Sequence, residues 1–208
     1  MADIDTMLAA GAAPVMAILR GILPAEAEAV GRALVASGIR LIEVPTNSPD
    51  WQDSVAILAR SLDGEAAVGA GTVVKPSMAR ELSDAGGRFA VAPDCRVDVI
   101  EAVLASGMDM LPGVLTPTEA FTAFRAGASR LKLFPAASVA TSHISALRSV
   151  LPPEAQIWAV GGVDRSNAAG WLAAGAQGVA LGSSLYAPGM APDEVAKRAR
   201  GILETIAV

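Results

Sequence analysis

Three side chains set the chemical question: Lys132, Glu43 and Arg20. Lys132 stands in "RLKLFPA", residues 130–136, a run otherwise composed like a buried strand. Lysine is among the residues least often buried without a partner. The chain has only three lysines, and the other two have ordinary settings. Lys197 lies in "DEVAKRARGILETI", where a solvated helical face accounts for it. Lys75 follows an apolar run in "TVVKP", on a loop rim. For Lys132, desolvation and a nearby cation such as Arg20 lower the ammonium pKa and leave a usable fraction of free amine. A free amine attacks a ketone to form a Schiff base. Glu43, in "IRLIEVP", supplies a carboxylate, and a buried cation beside a buried anion is tolerable where either alone is costly. The plainer alternatives are an ion pair that merely holds the fold together and, for Arg20, a strand-end residue facing solvent.

These residues sit in a recurring frame. Short apolar runs cover 15–21, 39–45, 66–73, 88–94, 108–113, 129–135, 156–162 and 177–183. Each is too short for a helix and reads as a parallel strand buried on both faces. The stretches between them read as helices. They open on Pro24, Ser48-Pro49, Pro76-Ser77, Thr116-Pro117 and Ser166-Asn167, and close on Gly38, Gly86-Gly87, Gly107, Gly127 and Gly175. Strand–helix alternation implies a parallel sheet with right-handed crossovers. Eight units predict an α/β fold of the (β/α)8 TIM-barrel type with a short N-terminal helix, one domain over 1–208. An open doubly wound sheet is the runner-up, but the first run ends in "LRGI" and not in a dinucleotide loop.

In such a barrel, function gathers at the C-terminal strand ends. The polar residues there are Arg20, Glu43, Thr72, Asp94 (after Pro93) and Lys132. Side-chain alternation turns Leu131 and Leu133 towards the helices and Arg130, Lys132 and Phe134 inward. Ile42 and Val44 face outward in the same way, with Leu41 and Glu43 inward. The seventh and eighth runs end in "VGGV" (160–163) and "LGSS" (181–184). Either glycine turn alone is only a turn. Together, at these two ends, they point to phosphate held by backbone N–H groups, with helix N-termini adding their dipoles.

The totals bound the rest. At 208 residues, 52% apolar and 18% charged, the chain is a well-buried globular protein. A net charge of −5 offers no basic face to nucleic acid or anionic membrane. The apolar stretch from Met7 to Leu19 lacks a basic leader and is broken by Gly11 and Pro14, which reads as neither signal peptide nor membrane span. One cysteine, Cys95, allows no internal disulfide and fits a reducing, cytoplasmic setting. Cys95 has no evident local base, so an inert thiol is expected. The single histidine, His143, leaves no histidine-based metal site. A carboxylate Mg²⁺ site involving Glu43 and Asp94 has no paired spacing to support it.

"LKLFPA" around Lys132, "GAGTV" at 69–73 and "AVGGV" at 159–163 resemble the class I 2-keto-3-deoxy-6-phosphogluconate/6-phosphogalactonate aldolases. The resemblance runs from "AILRGI" (17–22) to "LGSSLY" (181–186). The segment "IEVPTNSP" lacks the arginine that follows the glutamate in the phosphogluconate branch. Arg20 in "ILRG" and Val160 before the glycines resemble the phosphogalactonate branch, where the motif is closer to "IEIPLNSP", so Thr46 is a departure. The resemblance implies Lys132 as the Schiff-base residue and Glu43 as proton shuttle. It implies Arg20 and Thr72 on the pyruvyl carboxylate, and Val160, Gly161, Gly162, Gly182 and Ser183 around the phosphate end. Pro93 and Phe134 are implied as walls. It further implies a phosphorylated keto-acid substrate of galactonate catabolism, pyruvate as product, no cofactor or metal, and a homotrimer. The competing expectations are the same cleavage of the C4-epimeric phosphogluconate, a sugar-phosphate isomerase or epimerase on the same barrel, and a non-catalytic sugar-phosphate sensor.

Overall fold

The computed structural model describes residues 3–206. Its strands are β1 (Val15–Ile18), β2 (Leu41–Pro45), β3 (Ala67–Gly71), β4 (Phe89–Val91), β5 (Asp109–Leu111), β6 (Gly113–Val114), β7 (Arg130–Leu133), β8 (Gln156–Val160) and β9 (Gly178–Leu181). The helices are α1 (Ile4–Ala9), α2 (Pro24–Ala36), α3 (Trp51–Ser61), α4 (Pro76–Asp84), α5 (Val97–Ala105), α6 (Pro117–Arg125), α7 (Ser142–Arg148), α8 (Ala168–Ala173) and α9 (Pro192–Ile206). Every strand pairing is parallel, in the order β5-β4-β3-β2-β1-β9-β8-β7-β6.

The two ends of that order are one chain segment. Pro112 separates β5 from β6; it has no N–H to give a ladder, so the fifth apolar run breaks there into two short strands. β5 pairs with β4, β6 pairs with β7, and the Pro112 carbonyl accepts from Lys132 N–H at 2.9 Å. The eightfold barrel is thereby nearly closed, with the residue of interest on the closing seam.

Alternation sorts the apolar side chains into two cores. Val15, Ala17, Ile42, Val44, Leu131, Leu133, Ile157 and Ala159 pack outward among the helices. Met16, Ile18, Leu41, Phe89, Val91, Leu111, Trp158 and Val160 fill the barrel, and Ile4 and Met7 of α1 join them. α1 is tied on by its Asp5, which pairs with the buried Arg130; Arg130 also donates to Asp109 at 2.9 Å. Small residues make room for large ones inside. A Cβ on Gly178 would lie 2.5 Å from the Trp158 ring, and one on Gly69 would lie 2.2 Å from the Phe89 carbonyl oxygen.

The helix ends follow the sequence signals with one correction. Gly38, Gly86, Gly107, Gly127 and Gly175 all take positive φ directly after a helix, the left-handed closure that glycine adopts without a Cβ penalty. Thr116 caps α6 in a box with Glu119. Ser48-Pro49, however, does not open α3, which starts at Trp51 behind Asp50. The Ser48 hydroxyl is turned back towards the first loop and accepts from Gly21 N–H at 2.9 Å.

Candidate active site

A cavity of about 210 Å³ opens at the C-terminal ends of the strands. All eleven residues singled out in the sequence line it: Arg20, Glu43, Thr72, Pro93, Lys132, Phe134, Val160, Gly161, Gly162, Gly182 and Ser183. Ile18, Val163 and Ala180 complete the wall and were not foreseen. Asp94 lies outside it, exposed. Among the described residues no group of three or more His, Cys, Asp or Glu is gathered as a metal site.

Lys132 is 7% exposed and Glu43 2% exposed. Neither a hydrogen bond nor an ion pair within 4.0 Å joins them. They act on one another through space. Burial pulls the Lys132 ammonium below the ordinary lysine range; the Glu43 charge opposes this and the Arg20 charge adds to it. Burial pushes the Glu43 carboxyl up, against the pull of Lys132 and Arg20. Each group is therefore driven towards its neutral form, amine and acid. Glu43 Oε2 is buried without a hydrogen-bond partner among the described residues, so one carboxyl oxygen is free to handle a proton of a bound molecule. The Phe134 ring lies 4.4 Å from Lys132 Nζ and forms an apolar wall beside it.

Room for that carboxyl comes from a glycine. Gly71 ends β3 beside Glu43, in register with Pro45 of β2. A Cβ on Gly71 would fall 1.5 Å from Glu43 Oε1. The second glycine of "GAGTV" is thus the floor on which Glu43 rests, a role the motif alone did not disclose.

Arg20 is exposed on the rim, where Asn47 Oδ1 accepts from its Nη1 at 2.7 Å. Thr72 follows β3 with φ of 60°, a left-handed setting that residues with a Cβ rarely take. Across the cavity, Gly161 and Gly162 have φ of 92° and 77°. Asn167 Nδ2 donates to the Gly162 carbonyl at 2.9 Å, and its Oδ1 accepts from Asp164 N–H at 3.0 Å. Asn167 therefore braces this turn and makes no side-chain cap on α8. The expectation that helix N-termini back the glycine turns is corrected: α8 begins only at Ala168, and Gly182 opens a single turn in which its carbonyl accepts from Leu185 and Tyr186 N–H. Any anion here meets loop amides, not a helix end. Cys95 has its thiol pushed up by burial, then by Glu119 and Asp94, which fits an inert thiol.

A buried lysine and a buried glutamate facing one cavity at the C-terminal mouth of a parallel barrel are the groups an imine-forming lyase requires. The family model for KDPG and KHG aldolases matches residues 4–198, and the chain belongs to that family. It is 46% identical over 186 residues, 89% of this chain and 88% of the relative, to a Rhizobium meliloti (strain 1021) protein named probable 2-dehydro-3-deoxy-6-phosphogalactonate aldolase. It is 40% identical over 191 residues, 92% of this chain and 93% of the relative, to the Escherichia coli (strain K12) 2-dehydro-3-deoxy-6-phosphogalactonate aldolase. A solved structure described as native KDPGal superposes with a TM-score of 0.91 at 40% identity, covering 93% of this chain and 94% of that one. Among the described residues no helix is long and apolar enough to cross a membrane.

Proposed function

We propose that this protein cleaves 2-dehydro-3-deoxy-6-phospho-D-galactonate to pyruvate and D-glyceraldehyde 3-phosphate through an imine on Lys132. The observation that carries the reading is the pairing of a desolvated Lys132 with a protonatable Glu43 in one cavity. The free amine adds to the C2 ketone, and a proton from Glu43 lets the carbinolamine lose water as the iminium forms. Glu43, now a carboxylate, takes the C4 hydroxyl proton. The C3–C4 bond breaks, its electron pair flows into the iminium, and D-glyceraldehyde 3-phosphate departs, leaving an enamine. Glu43 returns its proton to C3, water adds to the resulting iminium, and Glu43 takes up the proton released as pyruvate and free Lys132 form. The electron sink is the protonated imine, so no step calls on a metal or cofactor.

Arg20 and the Thr72 segment grip the pyruvyl carboxylate, for which a guanidinium fork is suited. Gly161, Gly162, Gly182 and Ser183 offer backbone and hydroxyl donors to the phosphate, Val160 shapes the sugar chain's far end, and Pro93 and Phe134 wall the site. The family resemblance extends the reading to a homotrimer in the cytoplasm, which light scattering and cell fractionation test. For the substrate, kcat/KM on the two C4 epimers decides. A clear preference for the galactonate is expected; a preference for the gluconate overturns the branch, and turnover of neither overturns the reading.

A further inference from the structure

Three consecutive residues between β2 and α3 reach back to the two loops that carry the carboxylate grip. Thr46 N–H donates to the Gly71 carbonyl at 2.7 Å, and Thr46 Oγ1 donates to the Thr72 carbonyl at 2.7 Å. The peptide groups on both sides of Thr72 are thereby fixed by one residue. This is the support a non-glycine at φ of 60° needs, because such a setting persists only where its surroundings hold it. Asn47 Oδ1 accepts from Arg20 Nη1 at 2.7 Å. That bond restrains an exposed, flexible side chain while leaving the rest of the guanidinium fork free. Ser48 is 6% exposed, and its Oγ accepts from Gly21 N–H at 2.9 Å, pinning the backbone beside Arg20.

We propose that Thr46, Asn47 and Ser48 form a positioning clamp that sets Arg20 and Thr72 for a carboxylate before the substrate arrives. The inference rests on the aldolase reading above and deepens it at one end of the site. None of the three touches the reacting atoms; they act through the loops they hold. Preorganisation of this kind strengthens binding by removing ordering that the ligand must otherwise impose. The clamp serves the end of the site that holds pyruvate, whereas the phosphate end is braced separately by Asn167.

The test is steady-state condensation of pyruvate with D-glyceraldehyde 3-phosphate by wild type, Thr46→Val, Thr46→Ser and Asn47→Ala. Loss of one such hydrogen bond predicts a rise of about five- to tenfold in the pyruvate KM for Thr46→Val and for Asn47→Ala. The aldehyde KM, kcat and Tm stay near wild type, and Thr46→Ser, which keeps the hydroxyl, restores the pyruvate KM. An unchanged pyruvate KM in both variants overturns the clamp. So does a loss in which both KM values, kcat and Tm move together, because that is a merely structural effect. A wild type that condenses nothing overturns the aldolase reading itself and the clamp with it, a failure visible without any variant.

Discussion

Replacing Gly71 by alanine relocates the Glu43 carboxyl without deleting it. The new Cβ would stand 1.5 Å from Oε1 and 2.3 Å from Cδ. Ordinary contact requires the oxygen to retreat by about 2 Å, and the side chain, unlike the strand, can give. The Gly71 backbone is not left-handed, so alanine brings no conformational penalty there, and by restricting the unfolded chain it contributes roughly 0.4–1 kcal/mol. The variant should fold with a near-native Tm. Catalysis should suffer, since a misplacement of about 1 Å costs on the order of 10²-fold and general acid–base help is worth about 10²–10⁴-fold. We expect kcat to fall by about 10²–10⁴-fold, followed by coupling pyruvate release to a lactate dehydrogenase. The decisive arm is the cycle with Glu43→Gln. If Gly71 acts only through Glu43, the double variant is no slower than Glu43→Gln alone. A kcat within about twofold of wild type, or losses that multiply in the double variant, would refute the reasoning.

Two further predictions come from the charges. The pH at which Lys132 becomes reactive, read as the rate of reductive trapping with pyruvate against pH, should move in opposite directions in two variants. Glu43→Gln removes the anion that holds the ammonium up and shifts the profile to lower pH; Arg20→Met removes a cation that pushes it down and shifts it to higher pH. Shifts of the same sign would contradict the site's electrostatics. At the other end of the barrel, Arg130→Met strips Asp109 of its buried partner and should cost about 3–5 kcal/mol, at roughly 2–4 °C of Tm per kcal/mol. Asp109 is pushed above its unfolded value mainly by burial, with Arg130 opposing. A carboxyl raised on folding contributes stability that is present below the unfolded pKa and lost as pH rises through the folded one. Without Arg130 the folded value climbs further, so the Tm deficit should be largest at neutral pH and shrink towards about pH 5. An equal deficit at both pH values would count against this account.

Much of the fold was legible because the apolar runs alternate between two cores and helices α2, α4, α5, α6 and α8 close on a glycine. The run 108–113 carried its own break in Pro112, but counting runs treats it as one strand. Ser48-Pro49 has the composition of a helix start, and composition does not show that Gly21 takes the hydroxyl instead. Arg20, Glu43, Thr72 and Lys132 were legible as a converging group because they sit at strand ends, and the family resemblance added the rest of the eleven that line the cavity. What joins those ends was not legible. The bonds from Thr46, Asn47 and Asn167 depend on the register between neighbouring loops, and Thr46 stood out only as a departure from a motif. Whether Lys132 and Glu43 touch was likewise open, and the side chains answer it by sharing a cavity without a direct bond.

The most direct measurement is reduction with borohydride in the presence of pyruvate, followed by mass spectrometry of the peptides. The account predicts one adduct, on Lys132 and on neither Lys75 nor Lys197, and its disappearance together with turnover in Lys132→Met. An active enzyme that yields no adduct, or one whose adduct lies on another lysine, would contradict it.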